Sequence, residues 1–399
     1  MILPRHCRVV SVAAASGRDS RYAAALINRL PRLHRTFTDP PTLMLTEEQT
    51  LIDDAARRFS RDVLAPGAAA REKAQAIEPA VFEGLAAMGL LGMTVSPDHD
   101  GSGADYVSYA LALMAVAEGD GAVSTVMSVH NAPFCAILER YGSATQKAEV
   151  LRPAARGEFI GAFALTESQA GSDASALRTR AVRHGNDYVI NGAKQFITSG
   201  KIGRYTIVFA VTDVANPKRG ISAFLVPVKT PGFKIEYMWW TFNMPSDHAE
   251  VSLTNVTVPG STMLGEEGQG FALMMTKLAQ ERLAQAIRSA TVCESVIEYT
   301  VAYTAERKAF NQTIADFQNT QFKLAELKTE TVVGRTFTDQ CIKLFLEDKL
   351  DAIDAAMAKM WLSNLQHCLL ITSSLLAPAR SVKRLCALRP RTSRRSHWS

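Results

Sequence analysis

The stretch Phe163-Ala-Leu-Thr-Glu-Ser-Gln-Ala-Gly-Ser-Asp173, with Phe196-Ile-Thr-Ser-Gly200 after it, lies among runs of alternating hydrophobicity. A period of two means strands, so these polar residues fall at strand ends and turns. There, hydroxyls, glycine and free backbone N–H groups can present donors to phosphate oxygens and to a flat, electron-accepting ring. Taken alone, Thr166-Glu-Ser-Gln-Ala-Gly-Ser-Asp173 is a polar turn of the kind that merely connects strands. Its weight comes from what surrounds it.

On the N-terminal side, from Thr46 to about Arg156, the period is helical, with Leu51, Ala55, Phe59 and Val63 at spacings of three and four. Thr46-Glu-Glu-Gln49 reads as an N-cap and acidic first turn, and Tyr109 to Val116 as a buried helix. Strands are predicted over Phe159 to Phe163, Thr179 to Arg183, Tyr188 to Ile190, Tyr205 to Val211, Ile221 to Val228, Phe233 to Tyr237 and Ala249 to Val258. His184-Gly-Asn-Asp187 supplies a hairpin turn. After Gly268-Gln-Gly270 the helical period returns until about Gln366. The expected organisation is an α+β multidomain chain. It has an N-terminal helical bundle (45–157), a middle β-barrel or sandwich (158–267) and an incomplete C-terminal helical bundle (268–367). A basic extension (1–44) precedes these and an atypical basic tail (368–399) follows.

The formal charge of +5 is unevenly spread. Residues 1–45 carry seven Arg against two acids, and residues 368–399 carry seven basic residues and no acid. The remainder is therefore mildly acidic, which argues against nucleic acid as the main partner. The Arg- and Ala-rich first 45 residues fit a mitochondrial transit peptide or an upstream start codon. The expected location is the mitochondrial matrix in the first case and the cytoplasm for a bacterial chain. The six cysteines show no C-x-x-C spacing, so free thiols are expected rather than a disulfide framework or a metal site. The apolar runs read as too short for a membrane span. No strand–Gly-x-Gly-x-x-Gly–helix unit and no phosphate-binding Walker loop occurs.

Two polar motifs at this spacing, followed by this helical sequence, resemble the acyl-CoA dehydrogenase family of flavoproteins. The resemblance covers about Leu45 to Gln366 and implies the α–β–α order already read from the periods. It implies FAD as cofactor and an acyl-CoA substrate. It also implies an electron-transfer flavoprotein as partner and a homotetramer built as a dimer of dimers. Thr166 matches the position that meets the flavin N5 region, with Phe163, Leu165 and Gly171 beside it. Ser172 matches a residue shared between cofactor and substrate. Phe196, Ile197 and Thr198 match the triplet that packs on the ring; Trp is frequent at the first of these, and Phe196 keeps an aromatic face.

The reaction implied, α,β-dehydrogenation of a thioester to a trans-2-enoyl-CoA, needs a carboxylate base in a dry pocket and a hydride acceptor. Lys277-Leu-Ala-Gln-Glu-Arg282 lies on a helix, where Glu281 by itself reads as a solvated residue pairing with Lys277. The resemblance is to the long-chain and isovaleryl-type branches, which keep their base on this helix. It makes Glu281 the base and Arg282 a substrate-side residue. Glu306-Arg-Lys-Ala-Phe-Asn-Gln-Thr313 resembles the loop whose Arg reaches the FAD pyrophosphate of a neighbouring subunit. Arg307 takes that role, with Phe310 and Gln318 following it, and Asn311 stands where the family has Gly. By itself Arg307 reads as a surface ion-pair partner of Glu306 or of an acid one turn away. His248 reads as structural.

The resemblance stops after Gln366. Cys368 to Ser399 lacks the acid, the Gly-Gly-x-Gly turn and the amphipathic period that should follow. Its composition fits a shifted reading frame through a GC-rich gene, or a genuine basic tail for an anionic surface. A lost packed helix would weaken FAD retention and favour aggregation. Two other readings therefore stand beside the dehydrogenase: a catalytically impaired remnant of this fold, and a flavin oxidase, which would form peroxide in air.

Overall fold

The computed structural model describes residues 45–216, 220–239 and 245–376. The expected basic extension falls outside them, as does the tail beyond residue 376.

Helix α1 (Glu47–Phe59) starts with the predicted cap: Thr46 Oγ1 accepts from Gln49 N, and Gln49 Oε1 accepts from Thr46 N. It runs through a π-helical turn into α2 (Ala65–Ala74), and α3 (Pro79–Ala87) follows. Helix α4 (Tyr106–Gly119) is buried along nearly its whole length, because α1 covers one side and the C-terminal helices another. Helices α5 (Gly121–Val129) and α6 (Ala136–Tyr141) flank a π-helical turn containing Pro133. Contrary to the sequence expectation, this run from Gly121 to Tyr141 is long and apolar enough to cross a membrane. However, 78% of its most apolar window is buried within the fold, so its hydrophobicity serves the core.

Eight strands then form one mixed sheet: β1 (Gly161–Ala164), β2 (Arg180–His184), β3 (Asp187–Ile197), β4 (Tyr205–Val211), β5 (Ile221–Pro227), β6 (Phe233–Trp239), β7 (His248–Pro259) and β8 (Met263–Leu264). Their order is β6-β7-β3-β2-β4-β5-β8, with β1 parallel to β4. The link between β2 and β4 is the single pair Arg180 and Val211, so the sheet folds over there as a sandwich. Side-chain alternation explains the burial pattern. On β4, Val208 and Ala210 face Val251 and Val256 of the other half, while Ile207 and Phe209 face Ile137 and Leu151 of the helices. Strands β3 and β7 have one wet face and alternate buried with exposed.

The chain ends in α7 (Gly270–Glu306), a hairpin of β9 (Lys308–Ala309) and β10 (Gln312–Thr313), then α8 (Gln318–Leu346) and α9 (Ala352–Leu376). Leu283, Ile287 and Val296 of α7 share one core with Leu113 and Val126, so the two helical regions are a single packed body. Helix α9 continues past Gln366, with Leu369 buried. The irregular segment expected from Cys368 is therefore helical as far as Leu376, because Leu365 and Leu369, one turn apart, both pack on the shared core.

Strand β1 meets the helices at Gly161, whose N–H donates to His130 Nδ1 at 3.0 Å. A Cβ there would lie 2.2 Å from Cγ of the Phe134 ring, which is itself fully buried. We expect Gly161→Ala to destabilise the fold by ~1–3 kcal/mol through overpacking, read as a lowered urea midpoint.

Candidate active site

Helix α7 is fixed to the sheet at its first turn. Gly268 N donates to Ser222 Oγ at 2.9 Å, and a Cβ on Gly270 would lie 2.8 Å from the Ile221 carbonyl oxygen. Eleven residues on, roughly 16 Å along the axis, α7 carries Glu281. Its Oε1 is shut off from solvent and has no hydrogen-bond partner. Burial pushes the carboxyl up to about 7, against the opposing pull of Arg288 and Lys277. Tyr106 and Tyr109 of α4 face it. Burial raises both phenols well above their usual range, and the carboxylate adds to the effect. Lys277 donates to Gln280 at 3.5 Å, and both line a cavity of about 430 Å³ with Tyr106, Thr94, Arg140 and Phe345. Arg282 is half-buried beside the base.

The sheet presents the second half of the site. The polar motif after β1 is pinned from below by Lys194 of β3. Its Nζ donates to Glu167 Oε1 at 2.8 Å and to the Leu165 carbonyl at 3.0 Å. The Glu167 carboxylate also accepts from the backbone N–H groups of Arg178 (2.7 Å) and Thr179 (3.1 Å), closing the loop at both ends. Burial alone would raise this carboxyl, but Lys194 and these donors bring it down to about 2. Gln195 N donates to the Thr166 carbonyl at 2.8 Å, which sets Thr166 next to the second motif. Phe163 packs edge-on against Phe209 at 5.0 Å. Gly171 and Ser172 lie exposed on the loop, and a Cβ on Gly171 would meet nothing within 4 Å.

In the second motif the three side chains diverge. Phe196 has φ +58° and is 49% exposed, in contact with Trp239 at 5.2 Å between ring centroids. A left-handed backbone is costly for an aromatic residue, and it turns this ring outward. Ile197 is buried in the sandwich, and Thr198 Oγ1 is hydrogen-bonded to His248 Nδ1 at 3.0 Å. His248 Nε2 is bonded to Ser246 Oγ at 3.2 Å. Burial and then the nearby Arg288 hold this imidazole below its ordinary pKa. The charge of Arg288 on the helix half is thus felt by His248 on the sheet half, a proximity that sequence reasoning missed.

The residues present fit a flavin. A half-exposed aromatic face, a threonine held against His248, and an open glycine-serine loop suit a flat ring with a polar chain, and Trp239 Nε1 is buried without a partner. Arg307, Phe310 and Gln318 do not join this group. They lie exposed at the far end of α7, with Arg307 26 residues and roughly 39 Å of helix rise from Glu281. Phe310 and Asn311 form the two-residue turn of the β9–β10 hairpin with φ +52° and +62°, the left-handed pair that such a turn requires. No cluster of metal-ligating residues occurs among the described residues.

Three family models match the chain: the N-terminal domain of acyl-CoA dehydrogenase over residues 46–158, the middle domain over 162–256 and the C-terminal domain over 268–371. The rat mitochondrial long-chain specific acyl-CoA dehydrogenase is 34% identical over 374 residues, 92% of this chain and 87% of its own. An acyl-CoA dehydrogenase of Bacillus subtilis is 33% identical, covering 80% of this chain and 85% of its own. The structure of butyryl-CoA dehydrogenase from Megasphaera elsdenii superposes with a TM-score of 0.81 at 29% identity, over 86% of this chain and 94% of that one.

Proposed function

We propose, taking as premise that this chain belongs to the acyl-CoA dehydrogenase family, that Glu281 is the base that removes the α-proton of an acyl-CoA thioester. The enzyme is an FAD-dependent acyl-CoA dehydrogenase. Bound FAD supplies the acceptor for the β-hydrogen, which leaves the substrate as hydride. The observation that carries the assignment is the buried, unpartnered Oε1 of Glu281 with a carboxyl pushed up to about 7. A base at that value is half-ionised at working pH, and taking a proton in a dry site removes a buried charge. No other acid combines an unpartnered oxygen, a pKa near neutrality and two facing tyrosines among the described residues.

Thr166, with Ser172 on the exposed loop, would hold cofactor and substrate. Phe163, Leu165, Gly171, Phe196, Ile197 and Thr198 would form the flavin wall, and Arg282 would face the thioester. The buried Glu167–Lys194 pair keeps Thr166 in place without touching either. Arg307, Phe310 and Gln318, too far from Glu281 to serve the same cofactor, would grip the FAD of a neighbouring subunit; a guanidinium binds pyrophosphate with two donors. This suits the homotetramer general to the family. An electron-transfer flavoprotein would take the electrons.

The test is the visible spectrum of the purified chain, recorded anaerobically before and after addition of a series of acyl-CoAs. Bleaching of the flavin band by one thioester is the expected result and names the acyl class. A flavin band that no acyl-CoA bleaches, or no band even after FAD is added, would leave only the impaired-remnant reading.

A further inference from the structure

Arginines withdrawn into this fold carry acids with them. Arg71, 2% exposed, lies 2.7 Å from Asp120 and 2.9 Å from Glu78. Arg335 lies 3.2 Å from Glu294 and 2.9 Å from Asp339. Arg288 breaks the pattern. Its guanidinium donates to two neutral oxygens, Thr125 Oγ1 and Gln285 Oε1, and its Nε is shut off from solvent with no partner. Among the described residues no carboxylate lies within ion-pair distance of it, and Glu281 acts on it only through space. A cation in such a place calls for a countercharge brought by a ligand.

Its position says which ligand. Glu281, Gln285 and Arg288 are spaced four and three residues apart and so share one face of α7. Long side chains on a helix lean toward its N-terminus, and the bond from Arg288 to Gln285 shows this one reaching back toward the base. That leaves on the order of 6 Å, four residues of helix rise, between the level of Gln285 and that of Glu281. Tyr109 and His248 both lie within reach of its charge. A wholly apolar acyl tail laid along this face would leave Nε buried and unpaired, whereas a carboxylate would accept from Nε and a neighbouring Nη as a fork.

We propose that Arg288 receives the far-end carboxylate of a short dicarboxylic acyl group whose thioester end lies at Glu281, a proposal that rests on Glu281 being the base. Arg288 is then the specificity-determining residue, and the preferred substrates are CoA monothioesters of short dicarboxylic acids. A reaction that activates or shortens dicarboxylic acids must supply them.

The experiment compares succinyl-, glutaryl- and adipoyl-CoA with butyryl-, pentanoyl- and hexanoyl-CoA. Binding to FAD-loaded Glu281→Gln protein is measured by calorimetry, so that no turnover intervenes. For at least one length the carboxylated member is expected to bind ~10–100-fold tighter than its methyl-terminated equal, the range of a charged hydrogen-bonded pair. Adding Arg288→Met should bring that ratio to one or below, and Arg288→Lys should keep part of it. Tighter binding of every methyl-terminated member would overturn the proposal and leave the acyl-CoA reading standing, and that comparison needs no Arg288 variant to fold. An unchanged ratio in Arg288→Met would also overturn it. If that variant instead shifts the flavin spectrum of ligand-free protein, the guanidinium serves the cofactor. Failure of all six thioesters to bind would overturn this proposal, and flavin bleaching by a longer acyl-CoA would then leave the acyl-CoA reading standing.

Discussion

Glu281→Gln is expected to slow anaerobic flavin bleaching by acyl-CoA by roughly 10²–10⁴-fold, the usual contribution of a positioned base, while the folded protein keeps its flavin. The amide fills the same space among Tyr106, Tyr109 and Lys277 but cannot take a proton. The native enzyme should show its own signature in pH. The base must be ionised, so kcat/KM should climb about tenfold per pH unit below neutrality and level off above about 7, where the carboxyl titrates. Stability should run the other way. A carboxyl raised from its ordinary 4.5 to about 7 holds its proton more tightly in the folded state, so folding loses stability as pH rises through that window. Glu281→Gln has no such loss. It should therefore be more stable than the native chain at pH 8, by up to ~3 kcal/mol, with the difference vanishing below about pH 4. Stopped-flow bleaching and urea unfolding at several pH values measure both effects. Unchanged bleaching in Glu281→Gln would remove Glu281 from the reaction.

The parts legible in the sequence are those that depend on neighbours along the chain. The capping box at Thr46, the strands β4 and β5 and the hairpin turn at Gly185 each follow from a few adjacent residues. Glu281 was different: composition made it a surface acid, and only the likeness of its surrounding helix to a family singled it out. What stayed hidden are pairings across the chain. Lys194 sits in the buried phase of β3 with Tyr188 and Ile190, so a lysine stands where the alternation asks for an apolar side chain. Its partner, Glu167, lies 27 residues earlier inside the polar motif. The stripe of Glu281, Gln285 and Arg288 on a core helix gave a similar hint. Reading it required knowing that α4 packs against it. His248 reads in the sequence only as structural, and its partner Thr198 appears once β7 brings the two together.

Lys194→Met is expected to cost ~3–5 kcal/mol in folding stability at neutral pH, as when one member of a buried ion pair is removed. Lys194 and Glu167 have side chains 0% and 3% exposed, and the lysine keeps its charge at neutral pH although burial pulls it down to about 8. Without Nζ the carboxylate keeps only the Arg178 and Thr179 N–H groups and Gln169, and its charge stays shut away from water. The Leu165 carbonyl loses its donor as well, so the segment bearing Thr166 is released from β3 on one side. Flavin retention should therefore fall beyond what the lost global stability explains. The native pair contributes stability that is full above the carboxyl's ordinary 4.5 and is lost as pH falls toward about 2. In Lys194→Met burial wins instead and the folded-state pKa rises. The gap between variant and native chain should then narrow as pH drops toward 5, because the stranded carboxyl takes up a proton. The double change Glu167→Gln with Lys194→Met should recover part of the loss at neutral pH, since the buried charge goes with its partner. Urea midpoints for the two variants at pH 7 and pH 5, with bound flavin counted beside them, decide the matter. A gap independent of pH would mean that Lys194 matters for its packing and not for its charge.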